Sequence, residues 1–264
     1  MTSTTASALP LFYRTPMLLR SQEHGTFGLR RAHDFRFAAD TAVVPLVASE
    51  FAPASRHYPI VFAPDATATP LAVLGVAAGR NLFVDGEGQW RAGTYVPGYV
   101  RRYPFVPMTN ESGGAPMLAV DSASPRVVNR VSEGEADAFF DAAGKPTPTS
   151  QAAMAFCESY RVEALRIAAF AKALLEHKLL VDRSVRINYH APKDSAEAPP
   201  PEAVINGFRM VDEAAFRALP ADVVATFHAE GWSDLVVLHL ASQLGWQTLV
   251  EASAPKAAKA AAAA

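Results

Sequence analysis

The chain has one cysteine, Cys157, among its 264 residues, so no internal disulfide can form. Cysteine-based zinc sites are excluded for the same reason. It has no apolar run approaching the ~20 residues of a membrane span. The most extended helical stretch, from Ala152 to Leu180, is interrupted by Glu158, Arg161, Glu163, Arg166, Lys172 and Glu176. The first twenty residues show no charged region followed by an apolar run, so they do not read as a signal peptide. Lysine is absent before Lys145. The formal net charge of −2 argues against a dedicated nucleic-acid binder, which carries a basic excess. These features together give the expectation of a soluble, cytoplasmic protein with no transmembrane segment.

Catalytic signatures are also scarce. There is no Walker loop, no dinucleotide glycine fingerprint, no HExxH and no GxSxG. His33 precedes Asp34 directly, without the spacing of an iron triad, and Gly231 separates His228 from His239. No metal site and no cofactor are expected. Asp85 and Glu87 flank Gly86, where turn formation explains them. The Asn110-Glu-Ser triplet matches a glycosylation acceptor and carries little without a secretory signal. Cys157 falls on the apolar side of a helical pattern and reads as a buried structural thiol.

What the sequence does contain is half apolar and about one-fifth charged, ordinary globular usage. Residues 10–108 read as short strands and turns. Pro59–Pro64, Leu71–Gly79 and Asn81–Asp85 are strand candidates, Asp85-Gly86 marks a reversal, and the run from Gln89 to Val96 returns as a strand. Gly75 within this run suggests a bulge or a close backbone approach. Residues 110–125 read as a linker. Ser132-Glu-Gly-Glu135 fits a capping box before a short helix over 136–143. A long helix capped by Ser150 follows, with Met154, Cys157, Leu165, Ala168 and Leu175 on its apolar face. Two strands, 185–189 and 205–212, pair across a Pro-rich loop. Helices then occupy 213–250, with Ser233 capping the last, and an Ala-rich tail over 254–264 reads as disordered. The fold class is α+β in a single domain over 1–264. An antiparallel sheet from the strand-rich part, about 10–108, is packed by helices from the helix-rich part, about 130–250.

One segment stands apart. Leu82–Phe105 holds one Trp, three Tyr and three Arg with no Lys. Read as a strand, it places Tyr95 and Tyr99 on one face and sends Arg101 and Arg102 to opposite faces. The pattern Arg56-His57-Tyr58-Pro echoes Arg101-Arg102-Tyr103-Pro, as if two strands start side by side and bring Arg56 and Arg101 to one rim. Two arginines so placed need an acid such as Glu50 or Asp34, an anion or an aromatic face between them. Arg56, His57, Tyr58, Trp90, Tyr95, Tyr99, Arg101, Arg102 and Tyr103 are therefore the candidate ligand-binding residues. The ligand chemistry is stacking and forked hydrogen bonding to a small molecule or peptide. The competing reading is a buried sheet face. Catalytic residues are not assigned, and homo-oligomerisation stays open.

The segments Arg56–Phe62, Pro70–Phe105, Asn206–Leu219 and Leu235–Gln243 carry a resemblance to the SapC family of bacterial proteins, extending from about Leu11 to Leu249. The resemblance implies association with surface-layer loci and an accessory or peptide-handling role. It supplies no catalytic residues. An enzyme of unassigned chemistry using the Arg, Tyr and Trp segment, and a structural surface-layer component, are the alternatives.

Overall fold

The computed structural model describes residues 9–108, 117–131, 135–187 and 203–253. Eleven strands are present among these: β1 Pro16–Leu18, β2 Gly28–Arg30, β3 Val43–Pro45, β4 Ile60–Phe62, β5 Pro70–Val73, β6 Phe105–Met108, β7 Met117–Asp121, β8 Val127–Val128, β9 Ala136–Ala138, β10 Leu180–Ile187 and β11 Ala203–Val211. The helices are α1 Ser21–His24, α2 Phe51–Ser55, α3 Gly98–Arg102, α4 Pro148–Glu176, α5 Glu213–Arg217, α6 Ala221–Ala229, α7 Trp232–Ser242 and α8 Gly245–Ser253. The fold is α+β, with antiparallel sheets drawn mainly from the N-terminal part and helices from the C-terminal part.

The chain divides into two compact units. One comprises the residues up to Phe37 with Val100–Val162, and the other Ala38–Tyr99 with the residues from Glu163 onward. The first unit holds two three-stranded sheets, ordered β1-β7-β6 and β8-β2-β9. Its core joins Phe105, Leu118, Val120, Phe139 and Cys157, with Met154 packed against them. Cys157 thus comes from the first half of α4 and is fully buried, as its place in the sequence predicts. Desolvation pushes its thiol up to about 11.

The second unit holds one five-stranded sheet, ordered β10-β11-β4-β5-β3. The hairpin of β10 and β11 is the pairing expected from the sequence, running from Leu180↔Val211 to Ile187↔Ala203 with one register shift between Arg183 and Val185. β4 lies inside this sheet, yet it pairs with β11 only at Arg209↔Phe62. Side chains of α7 take over where the two strands part. Ile60 N donates to Ser242 Oγ at 2.9 Å, and Gln243 Nε2 donates to Ile60 O at 2.8 Å. Val211 N donates to His239 Nε2 at 3.1 Å. Three backbone groups that would otherwise be buried without partners are satisfied in this way. The second half of α4 adds Phe170, whose ring meets Phe51 at 6.1 Å and Phe62 at 6.2 Å.

Several sequence expectations are corrected. Residues 81–85 and 89–96 form no strand pair, only a Val84↔Trp90 bridge around the expected Asp85 turn. There Asp85 Oδ1 accepts from Glu87 N and Gln89 N, so side-chain capping replaces a ladder. The 110–125 linker contains β7. The expected helix at 136–143 is β9 and a turn, because this run completes the β8-β2-β9 sheet. On α4 the buried face is Tyr160, Ile167, Phe170, Ala171 and Leu174, whereas Leu165 is 62% exposed. The helical period was right and its phase wrong past Cys157. Ser150 is inside α4, not its cap, and its hydroxyl donates to Phe139 O. Ser233 is likewise the second residue of α7, which opens after Gly231 at φ 70°. Gly75 is the close approach expected: a Cβ there would sit 1.8 Å from Arg80 O. The capping box, the Asn110 triplet, most of the Pro-rich loop and the tail lie outside the described residues.

His239 makes stability depend on pH. Burial lowers its pKa to about 4 in the fold, against an unfolded value of about 6.5. The unfolded chain therefore binds the extra proton first as pH falls. This contribution is complete above about pH 6.5 and is lost between about 6.5 and 4, amounting to about 3 kcal/mol. Chemical denaturation at pH 7 and pH 4 should show this loss, and His239→Gln, which keeps an acceptor for Val211 N–H, should flatten it. An unchanged slope in the variant would assign the acid sensitivity to other groups.

Candidate functional site

The Arg, Tyr and Trp segment is not one strand. Its backbone leaves the Trp90 bridge as a loop and turns into α3 at Gly98. The alternation expected for Tyr95 to Val100 is therefore absent. Within α3 the chain passes from one unit to the other: Tyr58, Trp90, Tyr95 and Tyr99 belong to the second, Arg101, Arg102 and Tyr103 to the first.

In the second unit, α2 ends at Ser55 with Arg56 as its C-cap, and the chain then delivers Tyr58 into the core with no exposed surface. The Tyr58 hydroxyl donates to Tyr95 O and accepts from Trp90 Nε1 at 3.3 Å. Phe83 meets the Tyr58 ring edge-on at 4.7 Å. Desolvation raises the Tyr58 phenol to about 12, so it stays protonated. Tyr99 is buried as well. Arg56 is exposed, and His57 is half-buried against Tyr58, its pKa lowered by burial and then by Arg56.

Beside this cluster lies a residue the sequence reading gave another role. Glu50 is 3% exposed. Its Oε1 accepts from Tyr95 OH at 2.8 Å and from Gly98 N, and its Oε2 accepts from Val47 N at 3.1 Å. Among the described residues no Lys or Arg pairs with it. A Cβ on Gly98 would stand 3.0 Å from Oε1, so the backbone approaches the carboxylate only because position 98 is glycine.

The first unit repeats the arrangement. Asp121 is fully buried, and accepts from Thr15 N at 2.7 Å, Arg14 N at 3.1 Å and Tyr103 OH at 3.1 Å. Tyr103 packs on Phe37 at 4.1 Å and Tyr13 at 5.5 Å. Burial again lifts its phenol to about 12. The Arg102 guanidinium lies over Tyr160 at 4.7 Å, and Arg101 over Phe156 at 5.2 Å.

The repeated Arg-x-Tyr-Pro pattern is divided between the two units, Arg56 to Pro59 in the second and Arg101 to Pro104 in the first. Each Pro does open a strand, β4 and β6, but these lie in different sheets. Tyr103-Pro104 is the one cis peptide bond among the described residues. Asp34 pairs with Arg36 at 2.7 Å, and Glu50 binds neutral donors, so neither acid serves Arg56 or Arg101. The signal for Glu50 and Asp121 was available: each is a lone acid inside an apolar run, Val44–Ala54 and Met117–Ala123.

Two apolar clefts complete the picture. In the first unit, a cleft of about 570 Å³ is walled by Leu19, Met117, Leu118, Phe140 and Met154, with Ala155 at its exposed side. In the second, about 260 Å³ lies over Val43, Val61, Leu71 and Val73, closed by Phe208 and Trp246. No group of three or more His, Cys, Asp or Glu residues suited to a metal is found among the described residues. No described helix is long and apolar enough to cross a membrane.

A family model described as SapC matches residues 19–249, and the chain belongs to that family. No curated protein and no solved structure matches it.

The carboxylate assignment is testable. Glu50→Ala leaves Gly98 N, Val47 N and the Tyr95 hydroxyl without their acceptor and should cost about 3 kcal/mol or more. Tyr95→Phe removes one donor and should cost about 1–2 kcal/mol. Equal, small losses in urea denaturation would mean that Glu50 is not holding the loop. Cys157 should label slowly with thiol reagents in the native state and fast in denaturant; rapid native labelling would contradict its burial.

Proposed function

We propose that this SapC-family chain is a binding protein, an accessory to surface-layer or surface-protein machinery, that captures an apolar group of a peptide in the cleft of the first unit. The observation that carries the reading is the cleft's lining. Leu19, Met117, Leu118, Phe140 and Met154 present an almost wholly apolar wall around about 570 Å³. That volume falls within the range of pockets that bury a small ligand, roughly 300–1,000 Å³. Two methionines in the wall let it adapt to different side-chain shapes. Gln151 and Glu158 at the same cleft add polar groups that suit a peptide backbone.

In this reading the Arg, Tyr and Trp residues from Arg56 to Tyr103 are framework. The hydroxyls of Tyr58, Tyr95 and Tyr103 each donate to an acceptor within their own unit. The reading places the chain in the cytoplasm. Cell fractionation checks that, and recovery in an assembled surface layer would favour a structural component instead.

The binding test uses 1-anilinonaphthalene-8-sulfonate fluorescence, and melting temperature in the presence of short Leu- and Phe-containing peptides. Binding raises the melting temperature of the native chain. Ala155→Trp fills the cleft from its exposed side. It should weaken binding about tenfold or more, about 1.4 kcal/mol, with the ligand-free melting temperature unchanged. Binding indifferent to Ala155→Trp would put the ligand elsewhere and overturn the reading.

A further inference from the structure

We propose that β10 is a self-association edge, where two copies of this chain pair antiparallel about a two-fold axis at Ser184. This goes beyond the peptide-binding reading and does not depend on it. β10 is the outermost strand of the five-stranded sheet, eight residues long. Asp182, Arg183, Ser184 and Arg186 are exposed along it.

The direction of its backbone groups follows from its neighbour. Asp212 N donates to Leu179 O, while Val211 N turns away to His239. Backbone groups alternate sides along a strand, so residues 181 and 183 face β11 and residues 180, 182, 184 and 186 face outward. The register shift between Arg183 and Val185 does not break this alternation. Asn206 and Gly207 together oppose Ser184, so the extra residue belongs to β11, with Gly207 at φ 79°. Among the described residues, the outer edge of β10 therefore carries no bulge.

Charge then selects one register. Outward groups meet outward groups only when the axis passes through a residue position. An axis at Asp182 opposes two Asp182 side chains, and one at Arg183 opposes two Arg183. An axis at Val185 sets Arg186 against Ser184. An axis at Ser184 sets Asp182 opposite Arg186 at both ends and Arg183 opposite Val185. Opposite charges across a ladder stabilise it and like charges oppose it. Asp182 already lies 3.4 Å from Arg209 on β11, so Arg186 of the second copy extends an alternating charge row. Edge strands commonly carry charge to deter pairing. Here the pattern admits one pairing that is also self-complementary, as a two-fold interface requires. A contact of one strand is small, so the dimer is concentration-dependent.

Sedimentation velocity and light scattering over a range of protein concentrations test this. The dimer fraction should rise with concentration and fall with added salt. Ser184→Pro removes an outward N–H while sparing the ladder to β11, and should abolish the dimer. Asp182→Arg and Arg186→Asp should each abolish it, and the double exchange should restore it. Circular dichroism and melting temperature confirm that each variant is folded. The exposed charge variants decide the matter should Ser184→Pro not fold. A chain that stays monomeric at every concentration would overturn the proposal. So would a dimer insensitive to these changes, or a double exchange that fails to restore it.

Discussion

A carboxylate withdrawn from water must be surrounded by donors, and this requirement organises both units. Removing an ion from water costs several kcal/mol before any partner is supplied. Glu50 and Asp121 meet it in the same manner, with backbone N–H groups and one tyrosine hydroxyl, and among the described residues no Lys or Arg side chain pairs with either. Hydrogen bonds to a charged acceptor are each stronger than neutral ones, about 1.5–3 kcal/mol. The consequence is positional. Glu50 fastens the loop at Gly98 to the turn at Val47, and Asp121 fastens Thr15, next to β1, to Tyr103. Short strands of two to five residues, which dominate both three-stranded sheets, gain little from their own ladders. Buried acids compensate by fixing the irregular chain between them.

The five-stranded sheet solves a related problem with neutral groups. β4 is buried at all three positions, so its backbone cannot turn to water. Its neighbour β11 touches it at a single register pair. Ser242, Gln243 and His239, within one turn near the end of α7, supply the missing partners. The same turn brings three of the SapC-like segments together: Arg56–Phe62 through Ile60, Asn206–Leu219 through Val211, and Leu235–Gln243 through its polar face.

How much of this was legible depended on whether the cause was local. The β10-β11 hairpin, α4 and the Asp85 turn follow from periodicity and turn chemistry, and the structure contains them. Burial of Cys157 follows from the same period. The failures are non-local. Residues 136–138 are Ala-Asp-Ala, a helix-compatible run, and become β9 because β2 offers an edge at Gly28–Arg30. Leu165 looked like a core position by spacing and is exposed, because the buried face of α4 follows Tyr160, Ile167 and Leu174. Glu50 was read as a partner for arginine because acid and base are the obvious pair. Its actual donors are a tyrosine and two peptide groups, which no charge count can locate. The aromatic site candidates were recognised as a dense group, but their division between two units depends on contacts far along the chain.

The density of aromatic residues between Trp90 and Phe105 has an explanation in that division. A short stretch of chain here furnishes buried side chains to two cores. Trp90 and Tyr95 close around Tyr58 and Glu50 in the second unit, where Tyr99 is also buried; Tyr103 and Phe105 enter the first beside Asp121 and Phe139. A segment that serves only one core can alternate inward and outward residues, and needs a large side chain at every second position. A segment that leaves one core and enters another within a single helical turn has no such interval. Gly98 must let the backbone reach Glu50, and five residues later Tyr103 must already be anchored. Large side chains at nearly every remaining position, with arginines stacked on Phe156 and Tyr160, satisfy both demands at once.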